Sequence, residues 1–166
     1  GIKEATGLEA EIKWPNDVLV DGRKVAGILV EMDAEIETVR AIVVGIGINA
    51  NVPEEALPAD ARTSATSLNA VTGAKVDRAR LLGRILTHLE RLYVRWMTSG
   101  FDGILPELRE KTATLGRQVR VVEARGEWEA KALDLAPDGA LIVEDARGER
   151  RAVYAAEVSI RTADDR

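Results

Sequence analysis

The chain has 166 residues, of which 46% are hydrophobic and 4% aromatic, and its formal net charge is −5. This length and apolar content allow one or two globular domains with a packed core, whereas the acidic balance argues against a nucleic-acid-binding surface. The absence of cysteine excludes disulfide bridges and thiolate metal sites. No apolar run reaches about 18 residues and no signal peptide pattern occurs, so we expect a cytoplasmic protein with no membrane partner.

The first part of the chain predicts a mixed or antiparallel sheet with packed helices. Gly7 is expected to close a short helix, and Asp77 is a suitable N-cap for a long helix that ends near Thr98. A shorter helix is expected over residues 104–112, with Pro106 in its first turn. Residues 52–74 are rich in Pro, Ser and Thr and are predicted mostly as loop. The predicted strands cover residues 9–14, 17–20, 24–33 and 38–49, with a turn at 34–37.

The pattern changes near residue 115, where short alternating runs begin. Five strands broken by glycine-containing turns predict a small SH3-like β-barrel. They cover residues 119–123, 128–135, 140–144, 151–154 and 158–160. The complete expectation is therefore an α+β protein with a sheet-and-helix domain over residues 1–114 and a small β-domain over residues 115–166.

A β-hairpin with the turn Asp21-Gly22 is the strongest short-range signal in the chain, because both turn positions favour positive φ. If the loop is these two residues, the register follows by counting. The expected pairs are Val20 with Arg23, Leu19 with Lys24, Val18 with Val25, Asp17 with Ala26 and Asn16 with Gly27.

Side chains in this hairpin alternate between two faces. Lys13, Asp17, Lys24 and Ala26 are expected to share one face beside Gly27, leaving both charge and space for a ligand. The alternative interpretation is an ordinary solvated strand face. Pro15 favours a functional site, because proline ends regular pairing and places the residues after it beside a rigid bend. The other face, with Val18, Val20 and Val25, is predicted to be core.

Near the end of the strand predicted over residues 38–49, the side chains on one face are small. Gly45 and Gly47 alternate with large apolar residues, and the strand finishes at Asn49. Glycine inside a strand costs stability, which often indicates that another group approaches the backbone closely. A flat ligand over the two glycines, with Asn49 as its hydrogen-bonding partner, accounts for this pattern. A bulge or a bend in the strand is the alternative.

These motifs together resemble the biotin–protein ligase family. The resemblance rests on four stretches in the same order and at similar spacing: Lys13-Trp14-Pro15-Asn16-Asp17, the run Gly22-Arg23-Lys24-Val25-Ala26-Gly27-Ile28-Leu29-Val30-Glu31, Gly45-Ile46-Gly47-Ile48-Asn49, and Ala65-Thr66-Ser67-Leu68. It implies a catalytic domain like that of class II aminoacyl-tRNA synthetases, followed by a small β-domain. It also implies ATP-dependent transfer of biotin, through biotinyl-adenylate, to a lysine of a biotin carboxyl carrier domain.

The resemblance also implies roles for particular residues. Lys24 is similar to the lysine that contacts the biotin carboxylate and the adenylate phosphate, and Asn49 to the residue that binds the nucleotide. Asn16 and Asp17 resemble the pair that supports the phosphates, their Mg²⁺ or the incoming amine. Catalysis is thus expected from Lys24 and Asp17, and a Mg²⁺ site from Asn16 and Asp17. Contact with biotin or adenylate is expected from Lys13, Asn16, Lys24, Ala26, Gly27, Gly45, Gly47 and Asn49.

Elementary chemistry supports the same roles. A carboxylate that attacks a phosphate brings two anions together, so a fixed ammonium such as that of Lys24 is needed where charge accumulates. Mg²⁺ prefers oxygen ligands and takes only one or two from protein when it also holds phosphates. Asn16 and Asp17 can supply such oxygens.

The chain also departs from the family pattern. Members carry a Gly/Arg-rich loop upstream of the Lys-Trp-Pro-Asn-Asp motif, and no such segment occurs here. We therefore expect the chain to hold about half of an active site and to lack full ligase activity alone. Two alternatives remain: a non-catalytic binding or regulatory module, and an acyltransferase like the lipoate ligases. Homodimerisation by extension of an edge strand is a further expectation.

Overall fold

Two antiparallel sheets and four α-helices make up the protein, as seen in a computed structural model that describes residues 1–35, 38–58, 61, 63–123, 126–155 and 158–162. At residues 34, 35, 38, 39 and 158–162 the description covers the backbone alone. The helices are α1 (Ile2–Thr6), α2 (Leu68–Thr72), α3 (Arg78–Ser99) and α4 (Leu105–Lys111). Short 3-10 turns cover Glu54–Ala56 and Phe101–Gly103.

The first sheet contains four strands in the order β1-β2-β3-β4. These are β1 (Glu11–Lys13), β2 (Asp17–Val20), β3 (Arg23–Glu35) and β4 (Thr38–Ile48). The predicted strands are confirmed to within a few residues at each end. The turn predicted at 34–37 is not: residues 34 and 35 belong to β3, and residues 36 and 37 lie outside the described residues.

Helices α2 and α3 pack against β2 and β3 of the first sheet. Val20 and Val25, both buried, pack in one core with Leu68 of α2 and Leu81 of α3. The long helix begins where the sequence predicts, because the Asp77 carboxylate accepts hydrogen bonds from the N–H groups of Ala79 and Arg80.

One face of α3 meets α1. His88 is partly buried, and its Nε2 lies 3.0 Å from Glu4 Oε1. This hydrogen bond lowers the pKa of the Glu4 carboxyl below its ordinary value. The single histidine of the chain thus packs partly buried on α3 and pairs with Glu4.

The region predicted mostly as loop contains more structure than expected. It includes one 3-10 turn and α2, which ends at Gly73 with a φ of 69°. Thr66 and Ser67, just before α2, are buried, with exposed fractions of 1% and 0%. Helix α2 has only five residues, too few for a periodic pattern to distinguish it from a loop.

The second sheet contains five strands in the order β8-β7-β6-β5-β9. These are β5 (Gln118–Glu123), β6 (Gly126–Leu135), β7 (Leu141–Asp145), β8 (Arg150–Val153) and β9 (Val158–Thr162). Inward-facing side chains of β5 to β8 form a second core together with Leu105 of α4. The predicted α+β class is confirmed, and this small antiparallel unit is consistent with the SH3-like barrel expected from the sequence.

Trp14 joins the second core from the region of the first sheet. It directly follows β1, lies between β1 and β2, and is 6% exposed. The peptide bond from Trp14 to Pro15 is cis. The two parts of the chain therefore share a packed side chain.

Candidate active site

The hairpin between β2 and β3 has the predicted turn. Asp21 and Gly22 both adopt positive φ, 49° and 74°, and Val20 and Leu19 pair with Arg23 and Lys24 as expected. The register then shifts by one residue, because Val25 forms a β-bulge. Beyond the bulge, Val18 pairs with Ala26 and Asp17 pairs with Gly27.

Because of this bulge, the position expected for Ala26 is wrong. Ala26 shares a face with Val18, is 4% exposed, and lines an apolar groove with Ile28 and Ile48 rather than the face that carries Lys24. The expected pairs of Val18 with Val25, Asp17 with Ala26 and Asn16 with Gly27 are likewise wrong. Counting from the turn cannot reveal an extra residue in one strand, and a bulge reverses the faces of all positions beyond it.

Lys24 and Asp17 meet on the face opposite Ala26. Lys24 Nζ lies 2.5 Å from Asp17 Oδ1, and the side chains are 44% and 22% exposed. The pair lies against Gly27, where the Cβ of any other residue would come within 3.2 Å of Lys24 Nζ. Glycine at this position therefore leaves room for the ammonium. Lys13 pairs with Asp17 across β1 and β2 and shares their face, as predicted.

The small face of β4 is open. Gly47 pairs with Gly27, and Gly45 pairs with Leu29 on the same side of the sheet. Both β4 glycines are exposed, and a Cβ at either position would meet nothing closer than a backbone carbonyl of β3, at 3.7 Å or more. The surface from Lys24 across Gly27 to Gly47 is thus an uncovered strip that a flat molecule can approach.

A segment that the sequence did not assign to the site flanks Lys24. The Lys24 N–H donates to the Ser64 carbonyl, and the Thr66 N–H donates to the Lys24 carbonyl, each at 2.8 Å. Lys24 forms an isolated parallel bridge with Ala65. The available signal was the tetrapeptide 65–68, which belongs to the family resemblance. Its backbone fixes Lys24 from the side away from β2.

The two asparagines predicted in the site make backbone contacts. Asn49 Nδ2 donates to the Thr66 carbonyl at 3.1 Å, which ties the end of β4 to the segment beside Lys24. Asn16 Nδ2 donates to the Ile28 carbonyl at 2.9 Å. Each amide group therefore holds the frame of the site through its nitrogen.

A cavity of about 420 Å³ opens beside the Lys24–Asp17 pair. Four cationic side chains and two carboxylates line it, so its net charge is positive and suits phosphate groups. Its lining also includes residues that the sequence did not assign to a site, among them Thr63, Ser64, Ala113 and Thr114. The charged lining residues are Lys13, Arg23, Lys24, Arg117, Asp17 and Asp21.

The metal-ligating side chains in the described part of the chain do not form a cluster. This part contains no group of three or more His, Cys, Asp or Glu side chains arranged to hold a metal ion.

The described helices include none that is long and apolar enough to cross a membrane.

Comparison with known families identifies the class of this fold and site. The model of the biotin/lipoate A/B protein ligase family matches residues 1–49, and that of the biotin protein ligase C-terminal domain matches residues 114–161. The chain therefore belongs to the biotin protein ligase family.

Individual relatives agree with this assignment. The chain is 38% identical over 160 residues to a bifunctional ligase/repressor from Bacillus subtilis, covering 96% of this chain and 49% of that protein. It is 34% identical over 148 residues to a biotin–[acetyl-CoA-carboxylase] ligase from Paracoccus denitrificans, covering 89% of this chain and 61% of the relative. The chain thus spans about half the length of the Bacillus relative.

Solved structures of a biotin protein ligase from Aquifex aeolicus have the same fold. The apo structure superposes with a TM-score of 0.85 at 27% identity, over 98% of this chain and 69% of that one. A complex of the Aquifex protein with biotin and ATP superposes with a TM-score of 0.82 at 28% identity, over 98% of this chain and 66% of that one.

Proposed function

We propose that this chain supplies the catalytic lysine and the adenylate-binding strip of an ATP-dependent biotin–protein ligase. The observation that carries the proposal is the Lys24–Asp17 pair beside Gly27, at the wall of a positively charged cavity and next to the open glycines of β4. An exposed glycine strip ending at a fixed ammonium fits a flat ring system attached to an anionic group. Biotinyl-adenylate has both, because its acyl phosphate lies between the biotin and the adenosine.

In the first step, a carboxylate oxygen of biotin forms a bond to the α-phosphorus of ATP. The bond from that phosphorus to the bridging oxygen breaks, and pyrophosphate leaves with the electron pair. Negative charge accumulates on the α-phosphoryl oxygens, and Lys24 places its ammonium there. The backbone bonds to Ser64 and Thr66 hold the lysine in position before the ligand arrives, so little reorganisation is needed during reaction.

In the second step, the amine of a carrier-domain lysine forms a bond to the acyl carbon, and the bond to the AMP oxygen breaks. The amine loses a proton as it attacks. Asp17, at the cavity wall and 22% exposed, is the carboxylate paired with Lys24 and is proposed to receive or guide that proton. AMP leaves with the electron pair of the broken bond.

The donors present fit Mg²⁺ in a limited way. Asn16 and Asp17 precede and begin β2, and they offer an amide oxygen and a carboxylate, although one carboxylate oxygen already contacts Lys24. Mg²⁺ bound with ATP needs only one or two protein oxygens. These two residues would hold it, and it would neutralise charge on the phosphates.

The ligand-contacting set proposed here contains Lys13, Asn16, Lys24, Gly27, Gly45, Gly47 and Asn49. Ala26 is left out, because it lies on the other face of the hairpin. We also propose that a biotin carboxyl carrier domain is the partner and that the protein is cytoplasmic. The proposed boundary between its two domains lies between residues 114 and 115. A homodimer formed along β4, at the edge of the first sheet, stays a prediction.

Asn49 offers a test of the nucleotide position. Replacement of Asn49 by alanine is expected to weaken ATP binding while biotin binding changes less, because the carboxamide is proposed to lie at the nucleotide end of the strip. The matched control is Asn51→Ala, since Asn51 bonds Val76 through both its amide nitrogen and its oxygen. Calorimetric titrations with ATP and with biotin measure the two affinities separately. A variant that loses biotin affinity and keeps ATP affinity would end the assignment.

The function is tested by pyrophosphate exchange in two preparations. One is this chain alone. The other, called the completed ligase below, is the chain joined to the portion of the Bacillus subtilis relative that it does not match. We expect exchange that requires both biotin and ATP in the completed ligase. Exchange with lipoate instead of biotin would favour the lipoate-type alternative. Carrier-domain binding without exchange would favour the non-catalytic module.

A further inference from the structure

Trp14 lies inside the motif that supplies the candidate site, yet its side chain belongs to the second core. The residue before it, Lys13, lines the cavity, and the residues after the following proline are Asn16 and Asp17. The indole ring is 6% exposed among side chains of the second sheet and Leu105. One short segment therefore joins the charged cavity to the core of the small β-domain.

Three hydrogen bonds attach this segment to the residues that follow α4 and to the small β-domain. The Trp14 N–H donates to Thr114 Oγ1 at 2.9 Å, and the indole Nε1–H donates to the Gly139 carbonyl at 3.1 Å. The Ala113 N–H donates to the Ile12 carbonyl at 2.8 Å. Thr114 is itself 1% exposed. Ala113, Thr114 and Gly139 thus restrain the path of the chain from residue 12 to residue 14.

The turn that accepts the indole N–H is itself held in place. Asp138 accepts hydrogen bonds from the Ala140 N–H at 3.1 Å and from the Tyr154 hydroxyl at 2.9 Å. These bonds lower the pKa of the Asp138 carboxyl, the backbone bond most. A fixed acceptor at Gly139 restrains the orientation of the indole ring, because a single N–H must point towards it.

The other end of the segment is tied to the reacting face. The Ile28 N–H donates to the Asn16 carbonyl at 2.9 Å, and Asp17 pairs with Lys24. Lys13 and Asp17 pair directly across β1 and β2. A displacement of Trp14 would therefore move Lys13 and Asp17, and through Asp17 the Lys24 ammonium.

We propose that Trp14 is a positioning residue for adenylate formation, through which the small β-domain sets the placement of Lys13, Asp17 and Lys24. This inference rests on the proposed function. Trp14 itself need not touch a ligand. The competing explanation is that Trp14 only fills the second core. Filling a core affects stability alone, whereas positioning changes the rate in protein that remains folded.

The experiment compares Trp14→Phe and Trp14→Ala with Trp128→Phe in the completed ligase. Trp128 is the matched control, because it packs against the same core and its Nε1–H also donates one hydrogen bond, to Glu123 Oε1. We expect kcat for pyrophosphate exchange to fall about 10- to 100-fold in Trp14→Ala, with little change in KM. Trp14→Phe should retain more activity. Trp128→Phe should keep kcat within about twofold of the wild-type value, even where it lowers the thermal stability as much as Trp14→Phe does.

A second readout needs no activity. Amide spectra of this chain labelled with nitrogen-15 should show shifts at Asp17, Lys24 and Gly27 in Trp14→Phe but not in Trp128→Phe. If those shifts occur and kcat in the completed ligase stays at the wild-type value, the positioning role is wrong. If Trp128→Phe lowers kcat as much as Trp14→Phe does, the effect is loss of core packing, and the proposal is also overturned.

The two readouts separate this inference from the function it rests on. Absence of exchange in the unmodified completed ligase would count against the proposed function. The spectra would still decide whether Trp14 controls the placement of the hairpin. Unchanged spectra at Asp17, Lys24 and Gly27 would refute that control whatever the activity.

Discussion

Replacing Lys24 with alanine is expected to lower the rate of biotinyl-adenylate formation in the completed ligase by about 10²–10³-fold, the range for removing one transition-state donor. Asp17 contacts the ammonium, and two hydrogen bonds hold the main chain of residue 24, so the proposed site needs little rearrangement to meet the developing charge. Biotin-dependent pyrophosphate exchange measures the effect. Because the lysine acts on the developing charge, the loss should fall mainly on kcat.

Lys75→Ala is the control for this substitution, since Lys75 is an exposed lysine that does not line the cavity. It should leave the exchange rate unchanged. Exchange by Lys24→Ala at close to the wild-type rate would remove Lys24 from the reaction. The Lys24–Asp17 pair would then be an ordinary surface ion pair, which typically contributes no more than about 1 kcal/mol to stability.

Gly47→Val is expected to change stability and binding in opposite directions. Glycine in a strand interior costs roughly 0.5–1 kcal/mol, and a Cβ at Gly47 meets only the Gly27 carbonyl oxygen, at 4.0 Å. The free energy of unfolding should therefore rise by up to about 1 kcal/mol. Biotin affinity should fall by about 5- to 150-fold, because overfilling a packed contact costs roughly 1–3 kcal/mol.

Ala41→Val is the matched control for the glycine, because Ala41 lies on the same face of β4 and pairs with Asp33, well away from Gly27. Urea unfolding and calorimetric titration with biotin measure the two quantities. A Gly47→Val variant that is more stable and binds biotin with unchanged affinity would show that biotin does not lie over β4.

The hairpin shows what the sequence determines well. The positive φ required at Asp21 and Gly22 specifies the turn, and alternation then places Lys13, Asp17 and Lys24 on one face. Bulges have no reliable signature in a single sequence, so the shift at Val25 and the burial of Ala26 were not predictable. The predicted proximity of Lys24 and Asp17 is kept, because Lys24 precedes the bulge and Asp17 stays on its side of the sheet.

Longer-range contacts were the least predictable part. The approach of residues 64–66 to Lys24 and of Thr114 and Arg117 to the cavity depends on tertiary packing between distant segments. Trp14 is the clearest case, since an apolar residue before proline gives no indication of which core it joins. The long helix α3 was predicted from its N-cap, but the cap gives no indication that Leu82, Leu89 and Tyr93 are about half exposed.

The most direct measurement is a crystal structure of the completed ligase with a non-hydrolysable biotinyl-adenylate analogue. We expect the group that replaces the phosphate to lie within hydrogen-bond distance, about 3.2 Å or less, of Lys24 Nζ. The flat parts of the ligand should cover Gly45 and Gly47. An analogue bound on the opposite face of the sheet, with Lys24 contacting only Asp17, would contradict the proposed site.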